Sequence, residues 1–342
     1  MELKWTAKTF RSSGAVATEN PIPRDALVWD NHGCMPLRPQ DARFLPQLQR
    51  YRDAGVHIVS LNVGFDAMPW ENTPLMLAHF RRWILQHPDE YALDGNVDDI
   101  LAVRANGKLG VCFDIEGGCA LAGQLSKVSS YYHLGVRWML IAYNRNNELG
   151  AGCMGEDTGL TAFGREVVVE MNRVGMVVCC SHSGFRTTME VMELSSKPVI
   201  FSHSNPLGVW QHKRNITDEA IKACAATGGV VGINGIGDFL GINDASTATI
   251  VRHIDYTVEL VGVEHVGLAL DYVFDQQELL DYLAAHPEVF PPGEVHGSGI
   301  AMVRPEQLPE IAGALGDLGY SADDLRAILG GNHLRIANQC WK

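Results

Sequence analysis

Short apolar runs recur along the chain, each bounded by Gly, Pro, Asn or Asp. Eight of them predict β-strands, over residues 26–30, 57–63, 110–115, 136–142, 176–181, 198–202, 229–233 and 266–270. Several are apolar almost throughout, which is typical of parallel strands buried on both faces.

Segments between these runs predict helices over 41–54, 73–86, 163–173 and 217–227. The last has Thr217 as its N-cap and Gly228 just beyond its end. This alternation indicates an α/β protein and favours one TIM-like (β/α)8 barrel over residues 1–342, with 1–24 as an N-terminal extension. A doubly wound open sheet is the alternative, although no glycine-rich phosphate-binding motif supports its nucleotide-binding form.

Composition narrows the choice of partner. With 27 Lys+Arg against 40 Asp+Glu the net charge is −13, and there is no basic run, so we expect no nucleic-acid partner and a small-molecule substrate. The eight scattered cysteines are typical of reduced thiols. No apolar segment resembles a signal peptide or a membrane span, so we expect no membrane association and a cytoplasmic location.

Two long irregular stretches follow predicted strands, at 144–158 and 275–299. Loops of this length in a barrel are typical of lids or interfaces.

The chemistry lies where the predicted strands end. Side chains of metal-ligand type occur at or just after five of them, namely His32, Cys34, Glu116, His182, His203 and Asp271. In a barrel these ends share one rim, and imidazole and carboxylate groups bind zinc, which lowers the pKa of a coordinated water to ~7. Taken singly, each histidine could be a hydrogen-bonded structural residue and Cys34 a packing residue. His296 and His333 lie in Gly-containing stretches that could also approach the rim.

The order of motifs resembles the membrane (renal-type) dipeptidase family of zinc peptidases, family M19. The matching stretches include WDNHGCMPL, FDIEGG, SHSG, KPVIFSHSN, KRNITDE and GGNHLRI, and they span nearly the whole chain. The resemblance implies a (β/α)8 barrel with two zinc ions. Glu116 matches the glutamate that bridges them, His182 and His203 match ligands of one ion, and His32 matches a ligand of the other.

The resemblance also implies how a substrate binds. Arg214 matches an arginine that holds the substrate carboxylate, Asp271 matches an aspartate that transfers a proton, and Asn332 matches a stretch near the substrate. The implied activity is metal-dependent hydrolysis of a short amide, such as a dipeptide with a free carboxylate. The family often forms dimers, so the resemblance implies a homodimer too.

Two positions depart from the family pattern. Cys34 stands where the family has a metal-binding aspartate, and Tyr143 stands where it has a histidine that contacts the substrate carbonyl. A thiolate binds zinc well, so the chain could hold two ions; with Cys34 as a packing residue it would hold one. Tyr143 could donate to the substrate carbonyl instead. The substrate could then be an N-acyl amino acid or other small amide, or the barrel could be a degenerate binding or partner protein.

Overall fold

The computed structural model describes residues 20–289 and 299–342, which contain ten strands. These are β1 Trp29–Cys34, β2 Ile58–Phe65, β3 Tyr91–Leu93, β4 Leu109–Glu116, β5 Val136–Leu140, β6 Val177–Cys179, β7 Val199–Ile200, β8 Val231–Asn234, β9 Val266–Ala269 and β10 Tyr272–Val273. Eight correspond to the predicted strands; the short β3 and β10 were not predicted.

The strands curl into a parallel barrel. Seven follow the order β10-β1-β2-β4-β5-β6-β7, with β3 paired to β4, and β8 pairs with β9. A parallel bridge between Phe201 and Val231 joins these two sheets. The circle closes where the backbone N–H of Asp271 donates to the carbonyl of His32 at 3.0 Å. This architecture confirms the (β/α)8 class.

Helices surround the barrel. Their bounds are α1 Gln49–Asp53, α2 Asn72–Leu85, α3 Val97–Asn106, α4 Ser126–His133, α5 Ala162–Val174, α6 Phe185–Leu194, α7 Asp218–Ala226, α8 Gly237–Leu240, α9 Thr247–Val261, α10 Gln276–Ala285, α11 Leu308–Asp317, α12 Ala322–Arg326 and α13 Asn332–Cys340. Within the described residues, no helix has the length and apolarity needed to cross a membrane.

Local sequence explains several helix ends. The side chains of Thr161 and Thr217 accept from backbone N–H groups in the first turns of α5 and α7, and so satisfy donors that have no partner within the helix. Gly175 follows α5 with φ +98°, a conformation that only glycine adopts without strain. Apolar side chains of the strands and the inward helix faces form one large buried cluster and two smaller ones.

Three predicted boundaries were wrong. β1 runs over Trp29–Cys34 rather than 26–30, so His32 and Cys34 lie within a strand. The helix predicted over 41–54 is confined to a 3-10 turn, Leu45–Leu48, followed by α1, and Pro46 lies in that turn. The stretch 275–299 is not irregular throughout, because it begins with the ten-residue α10; its residues 290–298 lie outside the described part.

Candidate metal centre

His32 projects from β1 into the barrel rim and is fully buried. Its Nδ1 atom lies 3.3 Å from Asp114 Oδ1, and Asp114 accepts hydrogen bonds from the Ser60 hydroxyl at 2.6 Å and from Asn62 Nδ2 at 3.3 Å. A carboxylate behind a histidine fixes the ring orientation and its tautomer. His32 is thereby held with Nε2 turned toward the other side chains of the rim.

Glu116, the last residue of β4, is the point on which three histidines converge. Its Oε1 atom lies 3.4 Å from His32 Nε2, 3.5 Å from His182 Nε2 and 3.2 Å from His203 Nε2. The side chain is only 8% exposed. One carboxylate oxygen therefore faces imidazole nitrogens from three different parts of the barrel.

His182 and His203 follow β6 and β7, and each is held by its Nδ1 atom. His182 Nδ1 lies 2.6 Å from Asn144 Oδ1, and His203 Nδ1 lies 2.8 Å from the Ser202 hydroxyl. Their Nε2 atoms approach within 3.0 Å of each other. The backbones of Asn144 and His182 have φ +57° and +63°, and such conformations cluster at functional sites.

A second group of donors adjoins the first. Cys34 Sγ lies 3.4 Å from His32 Nε2 and 3.4 Å from Asp271 Oδ1, while Asp271 Oδ1 is 3.5 Å from His32 Nε2. Asn234 Nδ2 donates to the other Asp271 oxygen at 2.8 Å. Donor atoms of His32, Cys34 and Asp271 lie within 4.8 Å of one another, as do those of His32, Glu116 and His203.

Burial controls the protonation of these groups. It raises the pKa of Glu116 to about 8. It lowers the pKa values of His182 and His203 well below the usual range, and the positive charge of Arg214 contributes in the same direction. Neutral imidazole is the form that binds a metal ion. Two buried neutral histidines and a buried glutamate that would ionise when it binds a cation, each with its nitrogen or oxygen facing the same point, are a donor set that fits zinc.

A cavity of about 360 Å³ opens onto this centre. Cys34, Glu116, His182 and Asp271 form part of its wall, together with Tyr143. The Tyr143 ring stacks on His182 with 4.2 Å between the ring centroids. All six residues of metal-ligand type and Tyr143 are thus brought together at one rim.

Arg214 lies behind the cavity wall. It is 2% exposed and does not line the cavity. Its terminal nitrogens donate to the Ser204 hydroxyl at 3.1 Å and to the His203 carbonyl at 2.8 Å. The ring of Phe239, which does line the cavity, packs against the guanidinium at 5.8 Å. The direct contact between Arg214 and a substrate carboxylate, which the resemblance implies, stays a prediction.

Asn332 and His333 belong to the opposite end of the barrel. Asn332 Nδ2 donates to the carbonyls of Val263 and Val266 at 2.8 and 2.7 Å, at the start of β9. His333 Nε2 lies 3.1 Å from the Leu268 carbonyl. The structure thus does not bring Asn332 together with the residues of the rim, and its expected substrate contact stays a prediction. His296 lies outside the described residues.

Sequence reasoning missed two supporting residues. Asp114 lies two positions before Glu116 on β4, so both side chains point to one face of the strand. Asn144 follows Tyr143, four residues beyond the end of β5. Both residues lie at or near strand ends, the signal that identified the other site residues. That signal does not reveal that Asp114 and Asn144 each contact the Nδ1 atom of a histidine.

Comparison with known proteins identifies the chain's relatives. Residues 71–282 match the model of the membrane dipeptidase family, peptidase family M19. An uncharacterized dipeptidase of Schizosaccharomyces pombe is 34% identical over 56% of this chain and 48% of its own length. The dipeptidase aclJ of Aspergillus oryzae is 31% identical over 75% of this chain and 58% of its own length. The matched part thus spans about half the length of these two relatives.

A solved structure agrees over a larger share of the chain. The crystal structure of an amidohydrolase from Pseudomonas aeruginosa superposes with a TM-score of 0.85 at 26% identity, covering 93% of this chain and 97% of that one. The family match agrees with the barrel and implies a metal cofactor, for which the two donor groups described above are candidates. The chain belongs to the membrane dipeptidase family, peptidase family M19.

Proposed function

We propose that this chain is a zinc-dependent hydrolase that cleaves the amide bond of a dipeptide or of a similar short amide. The observation that carries the proposal is the convergence of His32, His182 and His203 on one oxygen of Glu116, at 3.2–3.5 Å. Each histidine has a polar partner on its Nδ1 atom, so all three Nε2 atoms are oriented toward the same point.

The donor set fits two adjacent ions. Glu116, His182 and His203 would hold one, and His32, Cys34 and Asp271 surround the other position, with Glu116 reaching both. When bound, zinc lowers the pKa of a coordinated water to about 7 and polarises a carbonyl group. Imidazole, carboxylate and thiolate are all ligands that zinc accepts.

Asp271 is the proposed proton acceptor. One of its oxygens is held by Asn234, and the other lies 3.4 Å from Cys34 Sγ at the cavity wall. A carboxylate fixed in this way can receive the proton of an attacking water and deliver it to the leaving amine.

Tyr143 is proposed to contact the substrate carbonyl. It lines the cavity beside Glu116 and His182, and burial raises the pKa of its hydroxyl well above the usual range, so it remains a hydrogen-bond donor at neutral pH. A donor aimed at a developing oxyanion is worth roughly 2.7–4 kcal/mol in other enzymes. Arg214 is proposed to act indirectly, since it holds the His203 carbonyl and favours neutral histidines.

The test combines metal content with turnover. Purified protein is reconstituted with zinc, its metal content is measured by mass spectrometry, and hydrolysis of a dipeptide library is followed by amine release. We expect bound zinc and cleavage in the wild type, loss of both in Glu116→Gln, and retention of both in the exposed control Glu193→Gln. If the zinc-loaded protein hydrolyses none of these short amides, the proposal is overturned and a degenerate barrel is favoured.

A further inference from the structure

One wall of the cavity is formed by α10. Glu278, Leu279, Tyr282 and Leu283 all line it, and their spacing places them on one face of the helix. Glu116 and His182 of the metal centre line the same cavity. A substrate held at that centre would share the cavity with this face of α10.

Tyr282 has a hydroxyl for which the described residues supply no hydrogen-bond partner, although the atom is shielded from water. Its ring is held against Phe65 and His286, with centroid distances of 5.3 and 4.5 Å. A buried hydroxyl without a partner is unfavourable unless another group supplies one. A ligand in the cavity can supply it.

The charges around this wall are unbalanced. Glu278 pairs with Arg38 at 3.0 Å, but the same guanidinium also binds Asp275 and Asp41, each at 3.0 Å. Among the described ion pairs, the one other cation that pairs with these three carboxylates is Arg43, which binds Asp41. Three carboxylates thus share two guanidinium groups. Among the described residues that line the cavity, none is Lys or Arg.

We propose that α10 is the substrate-selecting wall of the site: Leu279 and Leu283 contact an apolar side group, Tyr282 hydrogen-bonds a polar atom of the substrate, and Glu278 favours a cationic over an anionic side group. The chemical class is a short amide whose side group is apolar or cationic, for example with a lysine-like amine. This inference rests on the proposed function and deepens it.

The Tyr282 contact is tested with Tyr282→Phe. Because its hydroxyl has no partner within the described protein, its removal should leave the Tm unchanged or slightly raised, while kcat/KM for a cleaved dipeptide falls about fivefold. The matched control is Tyr320→Phe. The Tyr320 hydroxyl donates to Asp255 at 2.9 Å, and neither residue lines the cavity. This control variant should have a lower Tm and an unchanged kcat/KM. A Tyr282→Phe variant with undiminished kcat/KM would overturn this part.

The charge preference is tested with dipeptides Xaa-Ala and Ala-Xaa, where Xaa is norleucine, lysine or glutamate. In one of the two orders, the wild type should prefer lysine over glutamate. Glu278→Gln should reduce that ratio about fivefold and Glu278→Lys about 25-fold, while the control Glu193→Gln leaves it unchanged. An equal ratio in Glu278→Lys and wild type would overturn the assignment.

Binding measurements separate this inference from the proposed function. Calorimetric titration of the same dipeptides into the zinc-loaded Asp271→Asn protein requires no turnover. If lysine-containing peptides bind more tightly than their glutamate counterparts and the wild type cleaves none, α10 selects ligands and the hydrolase proposal fails. If peptides are cleaved and bound without regard to charge, the hydrolase proposal stands and this inference fails.

Discussion

The donor set of the second metal position depends on whether Cys34 is a ligand. The Cys34 sulfur lies 3.4 Å from both His32 Nε2 and Asp271 Oδ1, so a metal ion between these groups would meet one nitrogen, one oxygen and one sulfur donor. Burial raises the pKa of the thiol, which means that the thiolate forms at this position only with a cation to compensate it.

We therefore predict that the cobalt(II)-loaded protein shows a near-ultraviolet thiolate-to-cobalt charge-transfer band. Cys34→Ser should abolish the band, and Cys34→Asp should abolish it while retaining two metal ions per chain, because a carboxylate also binds zinc-like ions. Cys119→Ser, a partly exposed thiol elsewhere, is the control and should retain the band. A band that survives Cys34→Ser would show that this thiol is not a ligand.

Asp94 is a buried carboxyl whose two oxygens lack hydrogen-bond partners within the described residues. Burial and the nearby Asp99 raise its pKa well above the usual range. Its folded form therefore holds the proton more tightly than the unfolded chain does. The contribution of Asp94 to stability is most favourable below pH ~4, the pKa of an unfolded aspartate, and falls as the pH rises toward the folded pKa.

Asp94→Asn removes the titrating carboxyl group and with it this pH-dependent loss of stability. We predict that at pH 8 the variant unfolds with a free energy about 1–3 kcal/mol higher than the wild type, and that the difference shrinks toward pH 4. Chemical denaturation at both pH values measures it. The exposed Asp89→Asn should change neither value. An Asp94→Asn protein that is less stable at pH 8 would indicate that the carboxylate is charged and compensated.

At the scale of elements, α13 anchors the end of the barrel opposite the metal centre. Asn332→Ala removes two hydrogen bonds to the carbonyls of Val263 and Val266, and we expect a loss of about 1–3 kcal/mol in the free energy of unfolding. Because the side chain is remote from the cavity, kcat/KM should stay within about twofold of the wild-type value.

The control for this prediction lies on the same helix. Asn338 is exposed, and its one hydrogen bond within the described residues runs to the Leu334 carbonyl one turn earlier, so Asn338→Ala should leave both stability and kcat/KM nearly unchanged. A tenfold loss of kcat/KM in Asn332→Ala with an unchanged Tm would instead place this residue near the substrate.

Elements differed in how far the sequence could predict them. Strands buried on both faces are apolar runs, which is why all eight main strands were found. The end of β1 was not, because Asn31 and His32, which follow the polar Asp30, are residues of the kind that follow a strand. They are accommodated by tertiary contacts: Asp30 accepts from the Tyr51 hydroxyl and from the backbone N–H of Leu270, at 2.9 and 2.8 Å.

Only four helices were predicted, and two of the missed ones, α3 and α10, were missed for different reasons. α3 carries local signals, a capping box between Asn96 and Asp99 and a left-handed Gly107 after its end, so the sequence could have revealed it. α10 has no fully buried residue, and the face that lines the cavity carries both charged and apolar side chains. Its amphipathic pattern is therefore weak. Its role became visible only when Tyr282 and Glu278 were seen beside the metal centre.

For the molecule as a whole, the metal centre joins strands that are distant in the sequence. His32 comes from β1, Glu116 from β4, and His182 and His203 from the residues after β6 and β7. Strand-end placement predicted this meeting because parallel strands in a barrel share one rim. In the unfolded chain these donors are scattered, so a metal ion that needs them all binds the folded state preferentially.

Zinc should therefore stabilise the folded protein by an amount that grows with the logarithm of the free zinc concentration above Kd. At a free zinc concentration 100 times Kd we expect the free energy of unfolding to rise by about 2.7 kcal/mol, with a corresponding rise in Tm that a chelator reverses. Glu116→Gln should lose most of this zinc-dependent increase because Oε1 faces all three histidines, whereas Glu193→Gln should keep it. Calorimetric scans at a series of zinc concentrations measure how Tm rises with the free zinc concentration. Equal zinc-induced shifts in the wild type and Glu116→Gln would mean that the stabilising ion binds elsewhere.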